Sequence, residues 1–278
     1  MNYRHAFHAG NFADLLKHAV LTALVGALRA RPGPLAIVDT HAGAGVYDLR
    51  GEAAAKTGEG EAGVGRLMRD AAAPGAFDAL KAAVAALNPN GKTRFYPGSP
   101  ILLTAAQRPG DSYLGCEIRA DDNAALRIAL KQRRGAAVTS ADGWRTAVEQ
   151  AARGRGRLLV LIDPPFERPD DYAQIVATVA EVRAQRRDAV IAVWLPIKDL
   201  ATYDSFLGDL EDAAAPAPTT IAEVRLRPLS DPMKMNGCAM ALVGAPAGVA
   251  AAADEAGQWI ARTLGEPGAV AQVTVLGD

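Results

Sequence analysis

The chain has 278 residues, half of them hydrophobic, which is enough for one large domain or for a domain that carries an inserted lobe. Its 30 Lys and Arg against 31 Asp and Glu leave a formal net charge of −1, so a nucleic-acid partner would need a local basic patch. The chain has two cysteines without metal-type spacing, so we expect no disulfides. Its N-terminus is polar, and no apolar run approaches the roughly 20 residues of a spanning helix. These features predict a soluble, cytoplasmic protein without membrane segments.

The first hundred residues begin with a helical pattern that leads into a buried strand. Residues 11–31 carry leucine, valine and alanine at spacings of three and four, and Asn11 stands where an N-terminal cap is expected. Residues 35–39 form a continuous apolar run that ends in aspartate, which is typical of a buried parallel strand. Residues 47–96 are rich in alanine, glycine and glutamate, so we expect short helices there and no strand.

From residue 111 onward, strand and helix patterns alternate, which indicates an α/β fold with a mostly parallel sheet covered on both faces. Together with residues 35–39, the predicted strands number seven. They lie at residues 113–118, 136–140, 158–162, 190–195, 220–227 and 238–243, with helices at residues 121–134, 144–152 and 171–186. The expected division is residues 1–46 for an N-terminal arm, helix and first strand, 47–97 for an inserted helical subdomain, and 98–278 for the rest of the core.

A glycine loop follows the first strand, in the sequence Asp-Thr-His-Ala-Gly-Ala-Gly at residues 39–45. A dinucleotide fingerprint would need a third glycine three positions after Gly45, where Asp48 stands, so no pyrophosphate cradle is complete. The alternative is the acidic and glycine-rich loop of methyltransferases, in which the backbone of Gly43 approaches the methionine part of the cofactor, and His41 stands where glycine is frequent. A simple turn from strand to helix explains the same residues.

Acidic residues close two further predicted strands, at the sheet edge where ligands of open parallel sheets bind. Glu117 ends the strand after the inserted region, where an acid accepts hydrogen bonds from ribose hydroxyls. The separation from the glycine loop is much longer than usual, which the insertion of residues 47–97 explains. Asp142 precedes Gly143 at the end of the next strand and can receive the exocyclic amine of the cofactor's adenine. The same aspartate is also a suitable helix N-cap.

The most specific motif is Asp-Pro-Pro-Phe at residues 163–166, directly after the aliphatic strand at residues 158–162. The two prolines have no amide hydrogen and end the strand. Asp163 and a backbone carbonyl are then available as acceptors beside Pro164, and the Phe166 ring offers a flat face. An aspartate turn after a buried strand accounts for these residues without any catalytic role.

Methylation of an aromatic amine needs this combination of groups. Two acceptors can hold both N–H bonds, so that the nitrogen lone pair turns toward an activated methyl group, and Asp163 can take up the proton that the amine loses. Phe166 can stack on a base that has been splayed from its neighbours. Alignment for in-line displacement would contribute much of the rate. Cysteine-based methylation is not expected, because Cys116 and Cys238 lack activating neighbours.

The N-terminal segment combines aromatic and basic residues with three of the four histidines. Tyr3, Arg4 and Phe7 offer the stacking and phosphate contacts of an RNA-facing arm. A packed N-terminal cap is the alternative interpretation. No carboxylate or cysteine completes a convincing ligand set with the histidines, so we expect no metal site.

The N-terminal segment, the glycine loop, the Tyr-Pro-Gly-Ser-Pro sequence at residues 96–100 and the Asp-Pro-Pro-Phe motif together resemble the RlmJ family of bacterial 23S ribosomal RNA adenine-N6 methyltransferases. The resemblance spans nearly the whole chain, although Phe166 stands where family members commonly have tyrosine. It implies a Rossmann-like class I methyltransferase core with a small inserted helical subdomain, Asp163 as proton acceptor and Tyr3 in contact with RNA. It also implies that S-adenosylmethionine is bound by Lys17, His18, His41, Ser99, Glu117, Asp142, Gly143 and Asp163.

These observations predict an S-adenosylmethionine-dependent enzyme that methylates adenine N6 in 23S ribosomal RNA and acts as a monomer. The same pocket could serve guanine N2, adenine in DNA or the amide of a protein glutamine. A different class of protein is also open, namely an RNA-binding protein that has the fold and lacks catalysis. The intact Asp163, Glu117 and glycine loop favour the enzyme.

Overall fold

The computed structural model describes residues 5–154, 156–229 and 235–277 of the chain. An eight-stranded sheet and a separate two-stranded pair are flanked by helices. The strands are β1 (Leu35–Asp39), β2 (Val46–Asp48), β3 (Phe95–Pro97), β4 (Ser112–Cys116), β5 (Ala136–Thr139), β6 (Arg157–Ile162), β7 (Val190–Ile197), β8 (Thr219–Arg225), β9 (Gly237–Val243) and β10 (Val270–Leu276). The helices are α1 (Phe12–Arg29), α2 (Glu52–Thr57), α3 (Arg66–Arg69), α4 (Asp78–Leu87), α5 (Ser99–Thr104), α6 (Ala120–Ala129), α7 (Gly143–Ala152), α8 (Asp171–Gln185), α9 (Leu200–Ala214) and α10 (Val249–Leu264).

The main sheet has the strand order β10-β8-β9-β7-β6-β1-β4-β5. The strands from β5 to β7 in this order pair in parallel, while β9, β8 and β10 pair antiparallel. This is the predicted Rossmann-like α/β fold, but the predicted count of seven strands is wrong, because β10 adds an eighth at the edge. Its side chains are all half-buried or exposed. An edge strand with one partner therefore lacks the continuous apolar run by which the central strands were recognised.

Two hydrophobic cores cover the faces of the sheet, which explains the apolar runs of the central strands. Alternate residues of one strand belong to different cores, since successive side chains of a strand point to opposite faces. Leu159 and Leu161 pack in the first core with α1 and α10, whereas Leu158 and Val160 pack in the second with α7, α8 and α9. Within the described ranges, no helix is long and apolar enough to cross a membrane.

The region between β1 and β4 contains a short strand pair that the sequence did not predict. β2 pairs antiparallel with β3, and the Gly98 amide donates to the Gly45 carbonyl at 2.8 Å. The expectation of no strand within residues 47–96 is therefore wrong. Three residues on each side are too few to show a period of two, and the partners are far apart in the sequence. Between them lie α2, α3, α4, a π-helical turn at Glu61–Gly65 and a 3₁₀ turn at Gly75–Phe77.

The connections place the ends of four strands at one edge. β1 has β4 on one side and β6 on the other, so the chain order reverses at β1. Ligands of open α/β sheets bind outside the carboxyl ends of the strands at such a reversal. The residues that follow β1, β4, β5 and β6 all lie at this edge, and they include the glycine loop, Glu117, Asp142 and Asp163.

Candidate active site

Asp163 follows β6 and is joined to the first helix by a buried ion pair. The Lys17 ammonium donates to Asp163 Oδ2 at 2.7 Å and also lies 3.0 Å from Asp14 Oδ1, one turn earlier in α1. Burial alone would lower the pKa of Lys17, but the two carboxylates outweigh it and raise that pKa well above its usual value. Lys17 is therefore a permanent cation that fixes one oxygen of Asp163 and leaves the other without a partner among the described residues.

Asp14 completes this network on the side of the N-terminus. Its Oδ2 accepts from His5 Nε2 at 3.0 Å and from the Gly10 amide at 2.9 Å. Burial would raise the pKa of Asp14, but the charges of His5 and Lys17 hold it well below the usual range. Asn11, as predicted, caps α1, since its Oδ1 accepts from the Ala13 and Asp14 amides. The cap and the ion pairs together anchor the start of α1 beside Asp163.

The Pro-Pro-Phe segment turns sharply after Asp163. Pro164 is buried, and Phe166 is half-buried with φ of 51°, the only positive φ of a non-glycine residue in the part of the chain that the structure describes. This left-handed conformation costs roughly 1–2 kcal/mol for a residue with a side chain, so the surroundings must hold it. The Phe166 ring packs against Tyr172 and Trp194, with ring centroids 5.1 Å and 5.7 Å away.

At the end of β1, a buried carboxylate organises the floor of the site. Asp39 Oδ2 accepts hydrogen bonds from the Ser99 hydroxyl at 2.8 Å and from the Tyr113 hydroxyl at 3.0 Å. Burial raises the pKa of Asp39 to about 6, although the two hydrogen bonds oppose that shift. The side chain of Ser99 is therefore engaged with Asp39, which the sequence-based assignment of Ser99 to the cofactor did not anticipate.

The glycine loop and the acid after β4 contact each other directly. Glu117 Oε2 accepts from the Gly43 amide at 3.0 Å, and its Oε1 accepts from the Arg119 amide at 2.8 Å. Gly43 has φ of 64°, and a Cβ atom there would lie 2.3 Å from the Tyr47 hydroxyl, so the loop requires glycine. A carboxylate has about four lone-pair sites. Glu117 therefore keeps acceptor capacity toward the crevice.

Asp142 and Gly143 begin α7 on the other side of the same crevice. Asp142 Oδ1 accepts from the Arg145 amide at 3.0 Å, which makes it the helix N-cap. A Cβ atom on Gly143 would lie 2.0 Å from the Thr40 carbonyl oxygen, so this turn packs directly on the end of β1. The cap uses one carboxylate oxygen and leaves the other, so it is compatible with a binding role as well.

Burial lowers the pKa of both internal histidines of the site. Burial lowers the pKa of His41, whose ring lies 4.7 Å from the Trp144 ring and whose Nδ1 is 2.8 Å from the Thr40 hydroxyl. Burial lowers the pKa of His18 to about 3, and its Nδ1 is 2.7 Å from the Tyr96 hydroxyl. His18 therefore ties α1 to β3, while His41 belongs to the glycine loop beside α7.

The site residues fall into two contact groups. Gly43 joins Glu117 at the ends of β1 and β4, and Lys17 joins Asp163 between α1 and β6. Tyr3 and Arg4 lie outside the described residues. In the described ranges, no group of three His, Cys, Asp or Glu residues could hold a metal ion. The sequence did not point to Trp194. It also did not point to the ion pair of Asp14 and Lys17, although their spacing of three residues in a helix is the pattern that could have predicted it.

Comparisons with known proteins identify the family of the chain. Residues 32–275 match a family model described as ribosomal RNA large subunit methyltransferase D, RlmJ. The chain is 33% identical to ribosomal RNA large subunit methyltransferase J of Escherichia coli and 31% identical to that of Haemophilus influenzae, in each case over 88% of both chains. A crystal structure of a Legionella pneumophila protein, 24% identical, shares the fold with a TM-score of 0.87 over 96% of this chain and 98% of that one. The chain therefore belongs to the RlmJ family of ribosomal RNA large subunit methyltransferases.

Proposed function

We propose that this protein transfers a methyl group from S-adenosylmethionine to the exocyclic N6 amine of an adenine in 23S ribosomal RNA. The observation that carries the proposal is Asp163, whose carboxylate is fixed at one oxygen by Lys17 at the sheet edge and which is followed, after two prolines, by the half-buried Phe166. The relatives from Escherichia coli and Haemophilus influenzae are named as ribosomal RNA methyltransferases, which supports a ribosomal RNA acceptor. Their family supports a methyl group as the moiety transferred.

The residues after β1, β4 and β5 fit S-adenosylmethionine. Glu117 keeps free acceptor capacity for ribose hydroxyls, and Asp142 keeps one carboxylate oxygen for the adenine amine. Gly43 and Gly143 let the glycine loop and the start of α7 pack closely at this edge, because a Cβ atom on them would clash with the Tyr47 hydroxyl and the Thr40 carbonyl. When bound, S-adenosylmethionine supplies a methyl group activated by a positively charged sulfur. Further proposed contacts come from Lys17, His18, His41, Ser99 and Asp163.

Asp163 would orient the acceptor amine and receive its proton. An aromatic amine is a poor nucleophile because its lone pair is delocalised into the ring. Asp163 can accept one N–H through the oxygen that Lys17 does not hold, and the carbonyl of the turn at Pro164 can accept the other. Holding both N–H bonds favours a pyramidal nitrogen. The ammonium of Lys17 prevents rotation of the carboxylate, so the geometry is set before the substrate arrives.

Phe166 would hold the plane of the base. A base inside a helix cannot reach the sheet edge, so it has to be splayed out and stacked on a new face. The Phe166 ring is backed by Tyr172 and Trp194, which makes it a rigid platform. Tyr3 and Arg4, which precede the described residues, are the proposed contacts to flanking RNA.

The proposal requires one copy of the chain and no metal ion. Residues 47–97 are proposed to form an inserted helical subdomain between the N-terminal part of the core, residues 1–46, and the remainder, residues 98–278.

The rival acceptors are guanine N2, adenine in DNA and a protein glutamine. All three also carry an NH₂ group, so a pocket that hydrogen-bonds this group does not exclude them, and analysis of the product has to separate them.

The test is transfer of labelled methyl groups from S-adenosylmethionine to unmodified 23S ribosomal RNA, followed by nucleoside analysis of the digested RNA. Unmodified 16S ribosomal RNA serves as the matched control. We expect label in N6-methyladenosine from 23S RNA only. Label in another nucleoside would contradict the choice of base and keep the site. Absence of label, although the cofactor binds, would contradict the RNA acceptor and favour DNA or protein, or an RNA-binding protein without catalysis.

A further inference from the structure

Trp194 stands beside Asp163 on the neighbouring strand. β6 and β7 pair in parallel up to Ile162 opposite Val193, after which Asp163 follows the end of β6 and Trp194 continues β7. Residues in register on parallel strands point to the same face. Val193 packs in the second core and Trp194 packs against the first, which also contains residues of α1. The indole therefore leaves the sheet on the side from which Lys17 reaches Asp163.

The burial of β7 makes Trp194 an exception. Every other residue of this strand is buried, whereas Trp194 is half-buried. A large aromatic side chain in a central strand is expected to be covered by helices on its face of the sheet. The one residue of β7 that is not buried is the one that adjoins the proposed catalytic carboxylate. The indole is therefore partly exposed at this edge of the sheet while it also packs against the first core.

Trp194 contacts both parts of the proposed catalytic apparatus. The Lys17 ammonium lies 5.9 Å from the centroid of the indole, within the range of a cation–π interaction. The Phe166 ring meets the indole edge to face, with centroids 5.7 Å apart and planes at 63°. The cation is the group that fixes Asp163 Oδ2, and the phenyl ring is held at a positive φ.

We propose that Trp194 is a positioning residue for methyl transfer, which holds the Lys17 ammonium at Asp163 and the Phe166 ring in its left-handed conformation at the same time. This inference builds on the proposed function. Trp194 acts through the two groups, whereas Glu117 and Asp142, the proposed contacts to the ribose and adenine of the methyl donor, follow other strands. Its loss should therefore reduce the rate of transfer from the bound complex more than it weakens cofactor binding.

The test compares Trp194→Met with Trp194→Phe. Methionine fills irregular apolar space but has no aromatic face, whereas phenylalanine retains one. We expect kcat for 23S ribosomal RNA to fall about tenfold in Trp194→Met and no more than about threefold in Trp194→Phe, in keeping with the strength of partly buried cation–π contacts. KM for S-adenosylmethionine should change less than threefold in both. Transfer by the wild-type protein is measured first, so a failure of the proposed function is seen there.

Trp259→Leu is the matched control, since that indole is buried in α10 and donates to Asp70 far along the chain. It should lower the Tm and leave kcat of the folded protein unchanged. A kcat of Trp194→Met within twofold of wild type, or equal losses in the methionine and phenylalanine variants, overturns the proposal. If Trp194→Met does not fold, Trp194→Phe and Trp194→Tyr decide: both should keep at least a third of kcat, and a larger loss in either folded variant overturns it.

Discussion

Buried ion pairs lie at both ends of the sheet, and they differ in whether the carboxylate keeps an oxygen without a hydrogen-bond partner. At the amino end, Asp111 is saturated: its two oxygens accept from the Leu35 and Arg108 amides and pair with the guanidinium groups of Arg29 and Arg108. At the carboxyl end, Asp163 has Lys17 as its partner on one oxygen. The Asp111 side chain is 1% exposed and that of Asp163 is 16% exposed.

The comparison separates a structural carboxylate from a functional one by acceptor capacity. Asp111 ties β4, β1 and the end of α1 together, where Arg108 and Arg157 also donate to carbonyl groups that follow the helix. A carboxylate with every site filled can take no substrate. Asp163 is held just as firmly on one side, yet it offers an oxygen to the crevice. Four predictions sharpen or break this distinction.

The largest effect is expected for Asp163→Ala. Removal of the carboxylate deletes the acceptor of the amine and of its proton, so transfer should fall by about 10³-fold. Lys17 keeps Asp14 as its partner, so the Tm should change by only a few degrees. Single-turnover methylation and a thermal melt check both statements. Normal turnover in this variant would remove Asp163 from the mechanism.

Asp111→Ala should show the opposite pattern. It leaves Arg29, which is nearly buried, without its carboxylate, and breaking a buried ion pair in this way destabilises by about 3–5 kcal/mol. The free energy of unfolding should fall by that amount in urea titration, while kcat of the folded fraction stays at the wild-type value. Loss of kcat with unchanged stability would erase the contrast between the two ends.

Asp39 predicts a pH dependence of stability. Its pKa is raised to about 6 from an unfolded value of 3.8, so the native state binds the proton more tightly. Protonation of Asp39 stabilises the native state. This stabilisation is fully present below pH 3.8 and is lost as the pH rises through about 6. Asn can still accept from Ser99 and Tyr113, so Asp39→Asn should gain on the order of 2 kcal/mol relative to wild type between pH 4.5 and 7.5. Urea titrations at both pH values measure the difference, and a constant difference would contradict the shift.

The smallest effect concerns Phe166. Loss of stacking in Phe166→Ala should weaken RNA binding by roughly 1–3 kcal/mol, whereas Phe166→Tyr keeps the ring and should be mild. Binding of a 23S ribosomal RNA fragment to the two variants, at fixed salt, provides the comparison. Equal affinity and activity of the alanine variant and wild type would exclude Phe166 from the site.

The sequence was informative where local pattern and local chemistry coincide. The apolar run of β6 and the following Asp163 and Pro164 predicted both a central strand and a site at its end. β10 was missed because it is an edge strand with no buried residue, so it lacks the continuous apolar run of the central strands. β2 was missed because its three residues are too few to show the two-residue period of a strand. The role of Trp194 could not be predicted, since only the register of β6 and β7 brings it next to Asp163.

The hydrogen bond between the Gly98 amide and the Gly45 carbonyl has a consequence for the diversification of this fold. The chain leaves the core after the glycine loop and returns within one hydrogen bond of its point of departure, through the paired strands β2 and β3. The segment between these two strands is therefore connected to the rest of the chain only through β2 and β3. Its length and helices can therefore be exchanged in evolution or by protein engineering without shifting the strand ends, provided that a replacement fills the first core, where Val64, Phe77 and Leu80 pack, and supplies partners for Asn11 and Trp259.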